Sequence, residues 1–417
     1  MRSAVLPIGC GRWFRFLMFL MSLSLAVGMA GELSAQIRPL PLPRQIVPVM
    51  APDFPAMAPG FMMTEKMVDE HAWPREFRVR RPVDDNVVTG AVDRVVPSET
   101  VSAPVWIGNP ISDDPDFPSV GVDGSGGGDP RVKIPVLPTL GGSGTWSDCL
   151  IFHDWRIQRH LSSGECRLLD ARNFRLIQGN YAQCREALSE MTRRENLPPM
   201  RGRAVVLLHG LATTRYHMSL IGDYLKKQGG YTIINISYAT TQADIGSHAQ
   251  RVAEVIVGLP ELEEIHFVAH SMGNIVLRRY FADELRRTGG KIDLRFGRCV
   301  MIGPPNQGAQ AARMLHDNPL FEKTFGAGAD QLGAQWPELQ ATLVSPPIPF
   351  GVVAGGVGNS FGFNLLLPGD DDGVVRIEEA HLEGEAAFRR LPILHSLLPQ
   401  SPEVHKLTLR FLETGSF

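Results

Sequence analysis

Cysteine is scarce here, at 5 of 417 residues, which excludes a small scaffold stapled by disulfides. No Cys-x-x-Cys unit is present, so the cysteines do not read as a structural zinc site. Charge of one sign is nearly lacking: 41 basic and 44 acidic side chains leave a formal net charge of −3. Without a basic excess, general nucleic-acid binding has no electrostatic footing. Long apolar runs are missing too, which rules out a multi-span membrane protein. There is no internal repeat and no collagen-like period. Proline is unevenly spread, and 17 of its 32 occurrences fall between Pro39 and Pro138. A stretch so interrupted cannot bury a core of its own.

Ahead of that stretch, Met1 to Gln36 has the layout of an export signal. Arg2, Arg12 and Arg15 form a positive start, and Phe16 to Ala30 is apolar apart from two serines. As a helix that run spans about 22 Å, short of the roughly 30 Å hydrocarbon core. A cleaved signal peptide is expected, cut after Ala30 or Ala35, and an uncleaved membrane tether is the alternative. Cys10 precedes the apolar run, the wrong place for lipid attachment. Removing the signal leaves Cys149, Cys166, Cys184 and Cys299. They could form two disulfides in three connectivities or stay as buried thiols.

The expected division is residues 1–35 as signal, 36–145 as a Pro/Gly-rich linker of low structure, and 146–417 as a catalytic domain. The linker alternates short apolar pieces with proline, as in Arg38-Pro39-Leu40-Pro41-Leu42-Pro43, and favours extended polyproline conformations. Two glycine-rich pieces, Gly124–Gly128 and Gly141–Gly144, precede the folded part. A solvated tether accounts for this composition, and docking to a partner is the other reading.

From Trp146 the pattern becomes regular. Leu150–Gln158 and Cys166–Asp170 read as two strands joined by the Ser162-Ser163-Gly164 turn, and Tyr181–Arg194 as a helix. Apolar strands follow at Ala204–Leu208, Thr232–Ser237, Ile265–Ala269, Cys299–Ile302 and Phe350–Ala354. Between and after them lie helical patterns, including Ile245 to Ile256, Asn274–Arg286 and Pro402–Leu412. Continuous apolar strands alternating with amphipathic helices predict an α/β fold with a mostly parallel sheet covered on both faces. Such sheets place their chemistry at the carboxyl ends of the strands.

One of those strand ends reads Ala269-His270-Ser271-Met272-Gly273 and passes directly into a helix. This is a nucleophile elbow, small-x-Ser-x-Gly, with Ala269 where glycine is commonest. The tight turn exposes the Ser271 hydroxyl and points a helix N-terminus at it. The backbone N–H of Met272 can then stabilise an oxyanion. His209-Gly210-Leu211 ends an earlier strand and puts the Leu211 N–H in place as the second donor. His209 and His270 read as structural. A nucleophilic serine needs a base, and the base an orienting acid, in the chain order Ser, acid, His. Gly369-Asp370-Asp371-Asp372-Gly373 supplies the acid, with Asp372 preferred and Asp371 and Asp370 behind it. The carboxylate spacing of a calcium loop is missing there. Of the downstream histidines, His395 lies on a loop at the right stage, whereas His381 is less suited and His405 falls on the closing helix.

These residues resemble the α/β-hydrolase superfamily, within it the bacterial serine lipases and esterases, and a branch similar to glycosylphosphatidylinositol-deacylase-like lipases. The resemblance covers about Ser147 to Phe417 and includes the Gly303-Pro304-Pro305-Asn306-Gln307-Gly308 loop and the Asp372-Gly373-x-Val375 segment. It implies an α/β-hydrolase fold and cleavage of carboxylic esters through a Ser271–His395–Asp372 triad, an acyl-enzyme and a Leu211/Met272 oxyanion hole. It implies no cofactor and no metal. Between that loop and Phe350 lie Met314, Leu315, Leu320, Phe321, Phe325 and Trp336, either a cap over an acyl pocket or ordinary packing on the sheet. The expected substrate is a small-molecule or lipid ester, with peripheral contact to membrane or lipid open and the oligomeric state unread. Acyl transfer on the same triad, or an idle hydrolase fold acting as an interaction module, are the alternatives.

Overall fold

A computed structural model describes residues 137–139, 144–316 and 319–417. The signal and nearly all of the linker lie outside the described residues. Leu137–Pro138, within the stretch read as linker, form a short strand β1 that pairs with Arg175 and Phe174.

The first sheet has order β1-β5-β4-β3-β2 and is antiparallel throughout. Its strands are β2 (Trp146–Phe152), β3 (Trp155–His160), β4 (Cys166–Leu169) and β5 (Phe174–Gly179). The expected strand Leu150–Gln158 is two strands, because His153 takes a φ of 51° and turns the chain. One face packs on helix α1 (Tyr181–Arg194) through Cys149, Ile157, Cys166, Leu168, Cys184 and Leu188. All four described cysteines are buried free thiols. The other face is polar. Asp148 accepts from Arg156 at 2.5 Å, from Gln158 at 2.8 Å and from the Ser237 N–H at 2.8 Å. Arg167, Arg175 and Arg215 are held there by the side-chain oxygens of Gln158, Gln178, Asn173 and Tyr216. Burial first, and a neighbouring guanidinium second, push Arg167 and Arg215 each down to about 10.

The second sheet is all parallel, with order β11-β10-β9-β8-β6-β7. It comprises β6 (Gly202–Leu208), β7 (Thr232–Ile236), β8 (Leu262–His270), β9 (Phe296–Ile302), β10 (Phe350–Gly355) and β11 (Ala387–Leu391). Each strand feeds two cores because successive side chains face opposite ways. Val206, Phe267, Met301 and Val352 join α3 (Ile245–Val257) and α4 (Met272–Arg287) on one face. Val205, Val268, Val300 and Val353 join α2 (Ser219–Gly229) and α9 (Pro402–Thr414) on the other. This is the doubly covered parallel sheet that the pattern predicts and the α/β-hydrolase fold that the resemblance implies. Strand β11 is absent from that expectation: of its residues only Leu391 is buried, as suits an edge strand.

The register sets the site. Leu208, Ala269 and Met301 stand side by side in β6, β8 and β9. The loops after these strands therefore leave at one level, and Ser271 follows β8 in the middle.

Asp148 is the only carboxylate paired with the buried Arg156 among the described residues. Replacing it, in Asp148→Ala, leaves that charge uncompensated and should cost about 3–5 kcal/mol, read as a fall in the urea midpoint. A loss under about 1 kcal/mol would mean that packing alone holds this seam.

Candidate active site

Strand β8 passes into α4 through a single residue, Ser271, with φ 55° and ψ −128°. Few non-glycine residues tolerate positive φ, and this one turns the hydroxyl out of the sheet. The turn needs space behind it. A β-carbon on Gly273 would lie 2.8 Å from the carbonyl oxygens of both Leu208 and His209, so the first turn of α4 can only press against β6 without a side chain. The helix N-terminus then faces the hydroxyl.

His395 opens a 3₁₀ turn, His395–Gln400. Its Nε2 lies 2.9 Å from Ser271 Oγ and its Nδ1 lies 2.7 Å from Asp372 Oδ2. Asp372 is buried, and its Oδ1 accepts from the N–H groups of Val374 at 3.0 Å and Val375 at 2.7 Å. One oxygen is thus locked by the main chain and the other is left for the imidazole. Gly303 lies beneath that ring with φ 53°, and a β-carbon there would lie 3.1 Å from Nδ1 and 3.2 Å from Cε1.

The three consecutive aspartates have separate partners. Asp370 accepts from Val357 N–H at 2.7 Å, Gly358 N–H at 2.9 Å and Arg390 at 3.0 Å. Asp371 accepts through Oδ1 from Asn364 N–H at 3.0 Å and Gly373 N–H at 2.6 Å, while Oδ2 has no partner among the described residues. Only Asp372 reaches the histidine. His381 pairs with Glu385 at 2.7 Å and stacks on Phe388. His405, within α9, bonds the Pro399 carbonyl at 2.8 Å. His209 stacks on Tyr238, whose hydroxyl donates to the His209 carbonyl.

Leu211 and Met272 flank Ser271, and neither N–H has a partner among the described residues. Ala212 turns with φ 52° and donates to Thr240 Oγ1 at 3.1 Å, which shapes the Leu211 loop. A pocket of about 960 Å³, its open mouth included, reaches down to Ser271 and His395. Its walls are apolar and mostly small: Leu211, Pro305, Ala309, Ala311, Ala312, Leu315, Ala329, Leu332, Val374 and Val375. The segment before β10 forms α5 (Gln310–Leu315), α6 (Pro319–Leu332) and α7 (Trp336–Gln340), and the short α8 (Ile377–Ala380) follows β10. Both readings of it hold in part. Residues of α5 and α6 wall the pocket, and Phe325 packs under Leu211 and Ala212. Trp336 and Leu339 instead join the core on the sheet. No group of three or more His, Cys, Asp or Glu residues converges as a metal site among the described residues.

Sequence reasoning missed Gly303 as the floor under the imidazole, and Tyr238 and Thr240 as supports of the Leu211 loop. The position of Gly303 directly after β9 is the signal that could have found it. The unused histidines have a different consequence. Burial pushes His209 down to about 3, and His217 and His248 each to about 4, against about 6.5 in the unfolded chain. Below that pH the unfolded chain binds protons that the fold refuses, so stability falls on acidification. The slope is up to about 1.4 kcal/mol per pH unit for each ring. Asp371, pushed up to about 6 by burial, acts in the opposite direction with Glu254 and Glu379, while His270, His266 and His405, also pushed down by burial, add to the three rings. The urea midpoint should therefore drop steadily from about pH 6.5 to pH 4.5; a level midpoint would show that these rings are protonated inside the fold.

Residues 201–295, from β6 to just before β9, match a family described as "Putative serine esterase (DUF676)". No curated protein matches the chain. Among solved structures, the product of gene lin2722 from Listeria innocua is similar at 17% identity, covering 51% of this chain and 94% of that one, with a TM-score of 0.36. Phospholipase PlaB from Legionella pneumophila is similar at 15% identity over 52% of this chain and 60% of its own, with a TM-score of 0.40. The mature form of lipase BlEst2 from Bacillus licheniformis stands at 15% identity, 50% and 89% coverage, and a TM-score of 0.35. The parallel sheet and the elbow are those of an α/β-hydrolase fold, and within it residues 201–295 match the serine esterase family.

Proposed function

We propose that this protein hydrolyses carboxylic esters with an apolar acyl chain, using Ser271 as nucleophile, His395 as base then acid, and Asp372 as the orienting carboxylate. The observation that carries the reading is the pair of contacts at His395, 2.9 Å to Ser271 Oγ and 2.7 Å to Asp372 Oδ2, at the floor of an apolar pocket. As Ser271 Oγ bonds to the ester carbonyl carbon, its proton passes to His395 Nε2, and the buried Asp372 carboxylate stabilises the imidazolium. The carbonyl oxygen becomes an oxyanion facing the Leu211 and Met272 N–H groups, a pair of donors of which each is typically worth about 10²–10³ in rate. His395 returns the proton to the departing alcohol. Water then attacks the acyl-enzyme, giving its proton to His395, and the bond to Ser271 Oγ breaks as His395 passes that proton to Oγ and the acid leaves. The match of residues 201–295 to a serine esterase family supports the reaction class, and the small apolar walls support an acyl chain.

The proposal extends to location. The basic start and apolar run of Met1–Gln36 mark the protein for export, which N-terminal sequencing of the mature chain tests. A chain that keeps Met1 inside the cell would refute it.

Three outcomes test the chemistry. A fluorophosphonate probe should label Ser271, located by mass spectrometry, and labelling should vanish in His395→Ala; folded protein that resists the probe refutes the reading. Asp372→Asn should lower kcat by roughly 10³–10⁴, whereas Asp370→Asn should retain most turnover, and the reverse order would name the other aspartate. Along a p-nitrophenyl ester series, kcat/KM should rise by about fourfold per methylene until the pocket fills. A preference for acetate over longer chains would exclude an acyl pocket.

A further inference from the structure

The elbow brings a second imidazole to the site. His270 ends β8, is 2% exposed, and lies with Nε2 3.1 Å from the main-chain carbonyl oxygen of His395. A carbonyl only accepts, so His270 carries its proton on Nε2 and donates it there. Its Nδ1 is then a bare lone pair, without a partner among the described residues, and it faces the Gly210 backbone. The two rings also touch, with centroids 4.8 Å apart. On its other side His270 meets His217, 5.2 Å away and itself buried, with neither nitrogen bonded among the described residues. His217 lies on the 3₁₀ turn Arg215–Met218, and its carbonyl accepts from Gln400 at 2.8 Å, so the far end of the His395–Gln400 turn is tied to the same cluster.

Both main-chain groups of His395 are thereby fixed. Its N–H donates to the Asp372 carbonyl at 2.9 Å, and its carbonyl accepts from His270. A second track, through the main chain, runs from the residue before the nucleophile, through the base, to the acid. It parallels the side-chain track through Ser271, His395 and Asp372. A reacting group misplaced by about 1 Å can lose about 10² in rate, and this second track holds the imidazole at its height over Ser271.

We propose that His270 is a positioning residue: its Nε2–H clamps the His395 main chain and keeps the base aligned on Ser271 through both halves of the reaction. This rests on the reading of Ser271 and His395 as nucleophile and base. The clamp must survive the moment when His395 becomes an imidazolium, and the surroundings of His270 arrange that. Three titratable groups act on it, His395, His217 and His209, each positive when protonated. Burial first, and the charge of the His395 imidazolium second, hold His270 neutral; His217 and His209, pushed down by burial, stay neutral themselves. It keeps one proton and one tautomer while its neighbour cycles.

Two variants and a spectrum test the clamp. His270→Phe keeps ring bulk and loses the donor, and should lower kcat about 10- to 100-fold with KM little changed. His270→Gln restores an N–H donor and should recover most of that loss. A His270→Phe enzyme with the parent kcat, or a Gln variant as slow as the Phe variant at equal thermal stability, overturns the proposal. The spectrum is read whether or not the enzyme turns over. Long-range ¹H–¹⁵N correlations of histidine-labelled protein, assigned by loss of a signal in His270→Gln, should show a neutral Nε2–H ring from about pH 6 to pH 9. An Nδ1–H tautomer, or a ring that titrates in that range, refutes the clamp. Absence of ester turnover and of Ser271 labelling in the parent protein would instead refute the hydrolase reading, leaving the spectrum to decide the clamp.

Discussion

Ser271 holds a φ of 55° and a ψ of −128°, a conformation that costs a non-glycine residue about 1–3 kcal/mol and that persists because the sheet around it leaves no alternative. Strand β8 is bonded on both sides, to β6 and β9, and the Ser271 N–H itself donates to the Ile302 carbonyl at 2.9 Å. On the other side of the turn α4 is seated against the Leu208 and His209 carbonyls. Relaxing the serine would mean lifting a 16-residue helix off its strand. The strain is therefore borne by the two cores, and the backbone itself turns the hydroxyl toward His395 Nε2, 2.9 Å away.

The rest of the site is arranged around that fixed point by loops that leave neighbouring strands at the same level. After β6 comes the Leu211 loop, after β9 comes Gly303, and after β10 the run of aspartates. That run divides its work. Asp370 and Asp371 tie the Val357–Asn364 loop to their own segment, and Asp372 is left to face the imidazole. Three identical side chains in a row thus reach three different environments.

Much of this was legible because it is written in local chain geometry. A continuous apolar strand running into Ser-x-Gly and then a helix specifies an elbow wherever it occurs, and the order Ser271, Asp372, His395 follows from strand order. The parallel strands were legible for a similar reason: residues buried on both faces leave no polar alternation. What escaped depends on partners far away in sequence. Nothing near Gly303 announces that a ring from position 395 will rest on it. The bond from His270 to the His395 carbonyl joins residues 125 positions apart, and a histidine beside a serine reads the same with or without it. Strand β11 escaped because an edge strand buries little, and the break at His153 because the run around it is apolar enough to pass for one strand.

The antiparallel sheet at the start of the domain has a further consequence. Its polar face gathers Arg156, Arg167, Arg175 and Arg215, with Asp148 as the carboxylate that answers one of them. The other three rest on amide and hydroxyl oxygens, which orient a guanidinium without cancelling its charge. Repulsion among them is a standing load on the seam between the two sheets. Salt screens exposed charges well but buried ones little, so this load stays with the oxygens that orient each guanidinium. The seam is therefore a part of the molecule that a concentrated electrolyte leaves largely unchanged, while the exposed pairs elsewhere on its surface loosen.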